Sequence, residues 1–326
     1  MIWPFMRDMS ITKILACWCM TGLAYAQPDP VMLRGLYEQH LAEQQQAHGE
    51  FDSHTADAAR DLALFLRSHG DSNGAYAALV RTVAIDEKLF GADAARTLAD
   101  VADLASVAPP ADAGKLFERT AKSSDPAAAS RALVALGEMR ASQGDREGAA
   151  RYWRQALAKQ EAATGPESER VATLLNLLAQ AVEPGDAIPL LQRALTLDRK
   201  IFGPGHPEIG ATDQLLASSL LATGKTADAI APGREALSIL SLKLGPEHPR
   251  TAMAAATLAE VLRANRNFAE AELLYRQALS IDEKIFGPQN PTTLRAIKNL
   301  ADFLRERGKV ADAIVLERHL ITNVAH

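Results

Sequence analysis

His206 and His248 stand 42 residues apart, each inside a Gly-Pro-x-His-Pro segment. Imidazoles are the commonest metal ligands and proton carriers near neutral pH, so this pair is the first chemistry to weigh. A whole structural unit separates them, however, and each has a proline beside it that fixes a turn. In that setting the ring is expected to bond backbone rather than a metal. Asp86-Glu87 and Asp282-Glu283 look like paired carboxylates, but neighbouring residues on a helix point in different directions. They are expected on solvated helix surface. The chain has no glycine-rich phosphate loop between a strand and a helix, no Gly-x-Ser-x-Gly elbow and no His-Glu-x-x-His. No catalytic residues, metal ligands or cofactor are therefore expected, and the chain reads as a non-enzyme.

Binding chemistry is better supplied. Arg67, Arg263 and Arg305 each follow a leucine-small pair by five residues, and Arg60, Arg295 and Lys298 lie close by in sequence. Together they form basic stretches suited to an acidic or carboxylate-bearing segment. Glu260 and Asp302 lie three residues before Arg263 and Arg305, and pairing along one helix is the competing use of those cations.

These side chains sit in a repeating frame. Among the leucines followed by alanine or glycine, seven recur in one register: Leu62-Ala63, Leu104-Ala105, Leu136-Gly137, Leu178-Ala179, Leu216-Ala217, Leu258-Ala259 and Leu300-Ala301. Each has an alanine downstream, Ala75, Ala113, Ala149, Ala187, Ala229, Ala271 and Ala313 respectively, 13 residues on in five cases and 9 in the second and fourth. Successive leucines are 42, 32, 42, 38, 42 and 42 residues apart. A period of this size marks two-helix units, each too small to bury its own apolar face and stable only when stacked. The sixth unit is the clearest: residues 250–264 and 268–286 read as amphipathic helices, and Gly287-Pro288 stops the second. Small residues let two backbones approach, and glycine at 70, 144, 224 and 308 suits a turn with positive φ. The larger fillers one turn beyond each alanine (Leu79, Phe117, Trp153, Leu191, Tyr275) are expected in the core. The second and fourth units lose four residues at their inner turn, about one helical turn, which shortens a helix without changing its facing. Residues 31–49 match a second helix alone and are expected to cap the first unit.

The leucine-small pair, the turn glycine, the second-helix alanine and the Ala-Leu pairs 156–157, 194–195, 236–237 and 278–279 resemble the tetratricopeptide repeat pattern. The 42-residue period, the Gly-Pro-x-His-Pro linker and Leu273-Leu274-Tyr275-Arg276-Gln277-Ala278-Leu279 are similar to the longer repeats of kinesin light chains and their bacterial relatives. The resemblance covers residues 49–324. It implies an all-α fold, a right-handed α-α superhelix whose first helices line a concave groove for proteins or peptides. Kinesin light chain repeats carry an amide pair just before the leucine-small pair. Here Asn176 and Asn299 match one member each, while Gln214, Arg60 and Lys298 stand at related places. Lys298 is followed at the expected clamp position by Asp302.

The ends bound the location. Arg7 and Lys13 precede an apolar run at residues 14–26 that closes on Ala24-Tyr25-Ala26, the pattern of a cleaved export signal with Gln27 as mature N-terminus. The run is shorter than the ~20 residues of a membrane span. Residues 1–26 are thus expected as signal peptide, 27–48 as capping helix and 49–326 as the array. Removing 1–26 removes Cys17 and Cys19, the only cysteines, and with them any disulfide or thiolate chemistry. It also moves the net charge from −5 to −6, with 33 basic against 39 acidic residues, a poor match to nucleic acid. The expected function is an exported, periplasmic or secreted scaffold that binds a protein or peptide. The alternatives are an accessory subunit of an envelope enzyme and a self-associating element, the latter through the last helix, where Ile314, Leu316, Leu320 and Ile321 have no later unit to cover them.

Overall fold

The computed structural model describes residues 29–321, so the segment expected as an export signal, with Cys17 and Cys19, lies outside the described residues. Fifteen α-helices and no strand occur among the described residues. A single helix, α1 (Pro30–His48), precedes seven consecutive helix pairs: α2 (Ser53–Ser68) and α3 (Ser72–Phe90), α4 (Ala95–Val107) and α5 (Pro110–Thr120), α6 (Pro126–Ser142) and α7 (Arg146–Thr164), α8 (Glu169–Ala181) and α9 (Pro184–Phe202), α10 (Pro207–Ala222) and α11 (Thr226–Leu244), α12 (Pro249–Ala264) and α13 (Phe268–Phe286), and α14 (Pro291–Glu306) and α15 (Val310–Ile321).

The chain divides into two compact units, one ending at Gln143 and the other starting at Gly144, in the inner turn of the third pair. In the first unit, each helix from α1 to α6 packs on the next, and α4 also meets α6. In the second unit, each helix from α7 to α15 packs on the next, and the first helices α8, α10 and α12 touch in series.

The repeat positions account for the packing. All seven leucines of the leucine-small pairs and all seven downstream alanines are buried. Ala229 and Ala271 expose nothing, which leaves no room for a larger side chain between their helices. Tyr275 and Phe303 pack in one cluster with Ala271, their ring centroids 5.4 Å apart. The shortened repeats behave as their spacing implies: α4 and α8 have 13 residues each, against 16 in α2, α10, α12 and α14. Helix α1 has no fully buried residue. It rests Leu33, Tyr37 and Leu41 against Leu62, Phe65 and Leu66, the Tyr37 and Phe65 rings stacking at 4.9 Å.

Two turns explain the spacing of the glycines. At the inner turn, Gly70, Gly144, Gly224 and Gly308 adopt φ of 76–80°, and Arg266 takes the same place in the sixth unit with φ 61°. A left-handed conformation at a non-glycine residue is unfavourable, so the Arg266 position carries strain that the other units avoid. At the last three linkers, a positive-φ glycine (Gly203, Gly245 or Gly287) ends the second helix, and the next first helix starts with an extended cap followed by proline. The His206 and His248 imidazoles accept hydrogen bonds from the backbone N–H of Glu208 (3.3 Å) and Arg250 (3.1 Å), and the Asn290 side chain does the same for Thr292 (2.9 Å). The linker histidines are helix caps.

Candidate binding surface

The first helices carry the residues that the repeat spacing singles out, and all but Arg295 and Lys298 contact a neighbouring element. In the first unit, Arg60 on α2 sits among three carboxylates. It donates to both oxygens of Asp100 (2.5 and 2.8 Å), to Asp57 (2.5 Å) and to Asp86 (3.1 Å). Asp86 and Asp100 are almost fully buried, and Arg96 closes the cluster by donating to Asp86 and Asp57 at 2.7 Å each. These acids hold the Arg60 guanidinium firmly charged, with Asp100 the main contributor. Arg67, at the far end of α2, pairs across to Asp103 on α4 at 3.0 Å.

In the second unit the amide positions form lateral links. The Asn176 side-chain NH2 on α8 donates to the Thr212 hydroxyl on α10 (2.8 Å). Gln214 on α10 donates to Thr257 on α12 (3.3 Å), and Asn299 on α14 makes a long contact of 3.5 Å to Glu260 on α12. Arg263 on α12 pairs with Glu306 on α14 at 2.6 Å, and Arg305 on α14 pairs with Glu317 on α15. Arg263 therefore uses an acid of the next first helix and Arg305 one of the helix that follows it, rather than Glu260 and Asp302 on their own helices. Arg295 and Lys298, both exposed on α14, have no ion pair among the described residues. The Arg295 charge acts on Glu260 and Asp282 without pairing with either.

Acids are buried in each of the two units, two of them against expectation. Asp86 and Asp282 were expected on solvated surface, yet both are buried, as is Asp198. Each stands five residues before a linker glycine and beside a buried apolar residue (Ile85, Leu197, Ile281), and that shared offset is the signal in the sequence. Thr212 donates to Asp198 at 2.7 Å. Next to it, Asp213 is almost fully buried and one of its carboxylate oxygens lacks a hydrogen-bond partner. Burial, helped by Glu235 and Asp198 and opposed by Arg199 at 3.9 Å, pushes its carboxyl up to about 7. The buried Tyr275 phenol is likewise pushed up to about 12, by burial first and the Glu260 charge second, so it stays neutral. A second recurring element also went unread: Thr55, Thr97, Thr251 and Thr293 each donate to the carbonyl of the linker glycine six residues before (2.7–2.9 Å).

A family model described as tetratricopeptide repeat matches residues 183–241, 234–284 and 250–323, and a second model of the same description matches residues 131–169. No curated protein sequence matches the chain significantly. Among solved structures, the chain is similar to BtubC (BKLC) from P. vanneervenii, with 17% identity over 78% of this chain and 93% of that one, at a TM-score of 0.52. It is similar to a Rap protein complexed with Competence and Sporulation Factor, with 14% identity over 90% and 77% of the two chains, at 0.54. It is also similar to the apo form of RapI, with 13% identity over 81% and 74%, at 0.52. At these identities the likeness is one of fold.

Proposed function

We propose that this chain, which belongs to the tetratricopeptide repeat family, is a non-catalytic, exported scaffold that binds a protein or peptide through the face of its first helices. The observation that carries the reading is the state of the cations on that face. In the second unit, Arg263 and Arg305 are held by the protein's own acids, whereas Arg295 and Lys298 stand exposed without ion pairs on α14, the helix that carries Asn299. In the first unit, Arg60 and Arg67 are likewise held. An extended segment with a carboxylate fits there: charge meets Arg295 and Lys298, and backbone groups meet the amides. A fold neighbour complexed with Competence and Sporulation Factor supports a binding role for such a frame. Export rests on the residue 7–26 pattern, and mass spectrometry of the envelope-derived protein should give an N-terminus at Gln27; an intact Met1 would end that part.

A random peptide library displayed against residues 27–326 should yield sequences rich in Asp, Glu or a free C-terminal carboxylate. Arg295→Glu with Lys298→Glu should weaken these binders at least tenfold, the loss of about 1.4 kcal/mol or more. Raising salt from about 0.05 to 0.5 M should weaken them as well, through screening. Binders indifferent to both changes contradict this site. The competing reading, self-association, is favoured by the exposed apolar residues Val310, Ile314 and Val315 on α15. The side chains of Leu320 and Ile321 lie outside the described residues. Light scattering on the same preparation distinguishes a monomer from that alternative.

A further inference from the structure

The turn between α1 and α2 gathers His48, Asp52 and His54, one potential ligand atom from each lying within 4.8 Å of the others. His48 ends α1, Asp52 caps α2 and His54 stands in its first turn. The two imidazoles stack with centroids 4.4 Å apart and planes 19° from parallel. One Asp52 oxygen is 2.8 Å from His54 Nδ1 and accepts the His54 backbone N–H at 2.8 Å. The turn itself is pinned on both sides. The Thr55 hydroxyl donates to the Gly49 carbonyl at 2.7 Å, and the Phe51 ring lies under Lys88 Nζ at 3.5 Å.

We propose that His48, Asp52 and His54 form a binding site for a divalent transition-metal ion of the zinc type, which clips α1 onto the first repeat. Two imidazoles and one carboxylate suit Zn2+ or its neighbours and not Ca2+ or Mg2+, which require a shell of oxygens. Tetrahedral zinc with ligand bonds of about 2.0–2.1 Å needs ligand atoms roughly 3.3 Å apart. His48 and His54 are exposed and Asp52 is half-buried, so the closure is made by side-chain rotation with no cost to the core. Three protein ligands leave a coordination position for water. The consequence falls on α1, which has no fully buried residue and is held by half-buried apolar contacts and by the Arg34–Asp71 ion pair at 3.0 Å. A bond from the last residue of α1 to the start of α2 restrains its fraying end, and a ligand that binds only the folded form adds stability in proportion to its affinity.

The test is calorimetric titration of ZnCl2 into chelator-treated, untagged residues 27–326, with amide hydrogen exchange read in parallel. One equivalent of zinc should bind, and exchange in α1 should slow on binding. His48→Gln with His54→Gln should weaken binding by roughly 100-fold or more and abolish the slowing. Asp52→Glu, which keeps the carboxylate, should retain both in part. His69→Gln, at a histidine outside the cluster, should leave both as they were. Wild-type protein that takes up no zinc at about 1 mM, a free energy near 4 kcal/mol, overturns the proposal. So does a double variant that binds as tightly as wild type, or zinc binding that leaves exchange in α1 unchanged.

Discussion

Arg60→Met should destabilise the first unit by about 3–5 kcal/mol, the cost of leaving a buried carboxylate without its partner. Asp100 is 2% exposed and Arg60 holds both its oxygens, at 2.5 and 2.8 Å. Asp86 keeps Arg96 at 2.7 Å after the substitution, so the loss falls mainly on Asp100. The expected pattern in urea denaturation is therefore asymmetric. The single variant unfolds early, and Arg60→Met with Asp100→Leu recovers much of the difference, because the pair is exchanged for apolar contact. A single variant that loses less than about 1 kcal/mol would place the pair in the class of solvent-screened surface bridges. The result also bears on binding: an arginine fixed by three acids has little left to offer a ligand.

Asp213→Asn should stabilise the second unit at pH 8 and leave it little changed at pH 4. The carboxyl has a folded value of about 7, against about 3.9 in an unfolded chain. As pH rises from 4 to 7, the unfolded chain has released this proton while the folded chain still holds it. The folded form therefore loses stability through that window and reaches a plateau above it. The full difference corresponds to an upper value on the order of 4 kcal/mol. The amide that replaces the carboxyl carries no charge at any pH, so the variant's stability should lack this slope. Burial also raises Asp198, next to it, which adds a fall of the same sign. Urea midpoints at pH 5 and pH 8 for both proteins test this. Equal wild-type midpoints, or a variant weaker than wild type at pH 8, would show that Arg199 neutralises Asp213 more fully than its 3.9 Å distance implies.

What the sequence revealed and what it concealed have a common cause. The leucine-small pairs and the second-helix alanines are local in period, and each marks a place where two helices must approach, so Ala229 and Ala271 were readable as buried. The linker histidines were readable for the same reason: the proline beside each fixes the turn, and the ring then caps the following helix. The four-residue losses near Pro109 and Pro184 told that a helix shortens in those two units, but not that it is the first helix, α4 or α8. Asp86 and Asp282 were misjudged because adjacency on one helix says nothing about what the next helix lays over them. Arg67, Arg263 and Arg305 show the same limit. Their partners Asp103, Glu306 and Glu317 come from neighbouring helices, whereas the sequence offered nearer acids. The His48, Asp52 and His54 cluster straddles a helix end and a helix start, so no single-helix spacing rule brings it together.

Photo-crosslinking tests the binding account most directly. A photoreactive amino acid placed at Lys298, on the α14 face, is compared with one at Leu273, which is 69% exposed on α13. Both are irradiated in living cells of the native host. The account predicts one discrete adduct from position 298, lost when Arg295→Glu is added, and none from position 273. Adducts from position 273 alone would contradict it and move the interaction to the second helices.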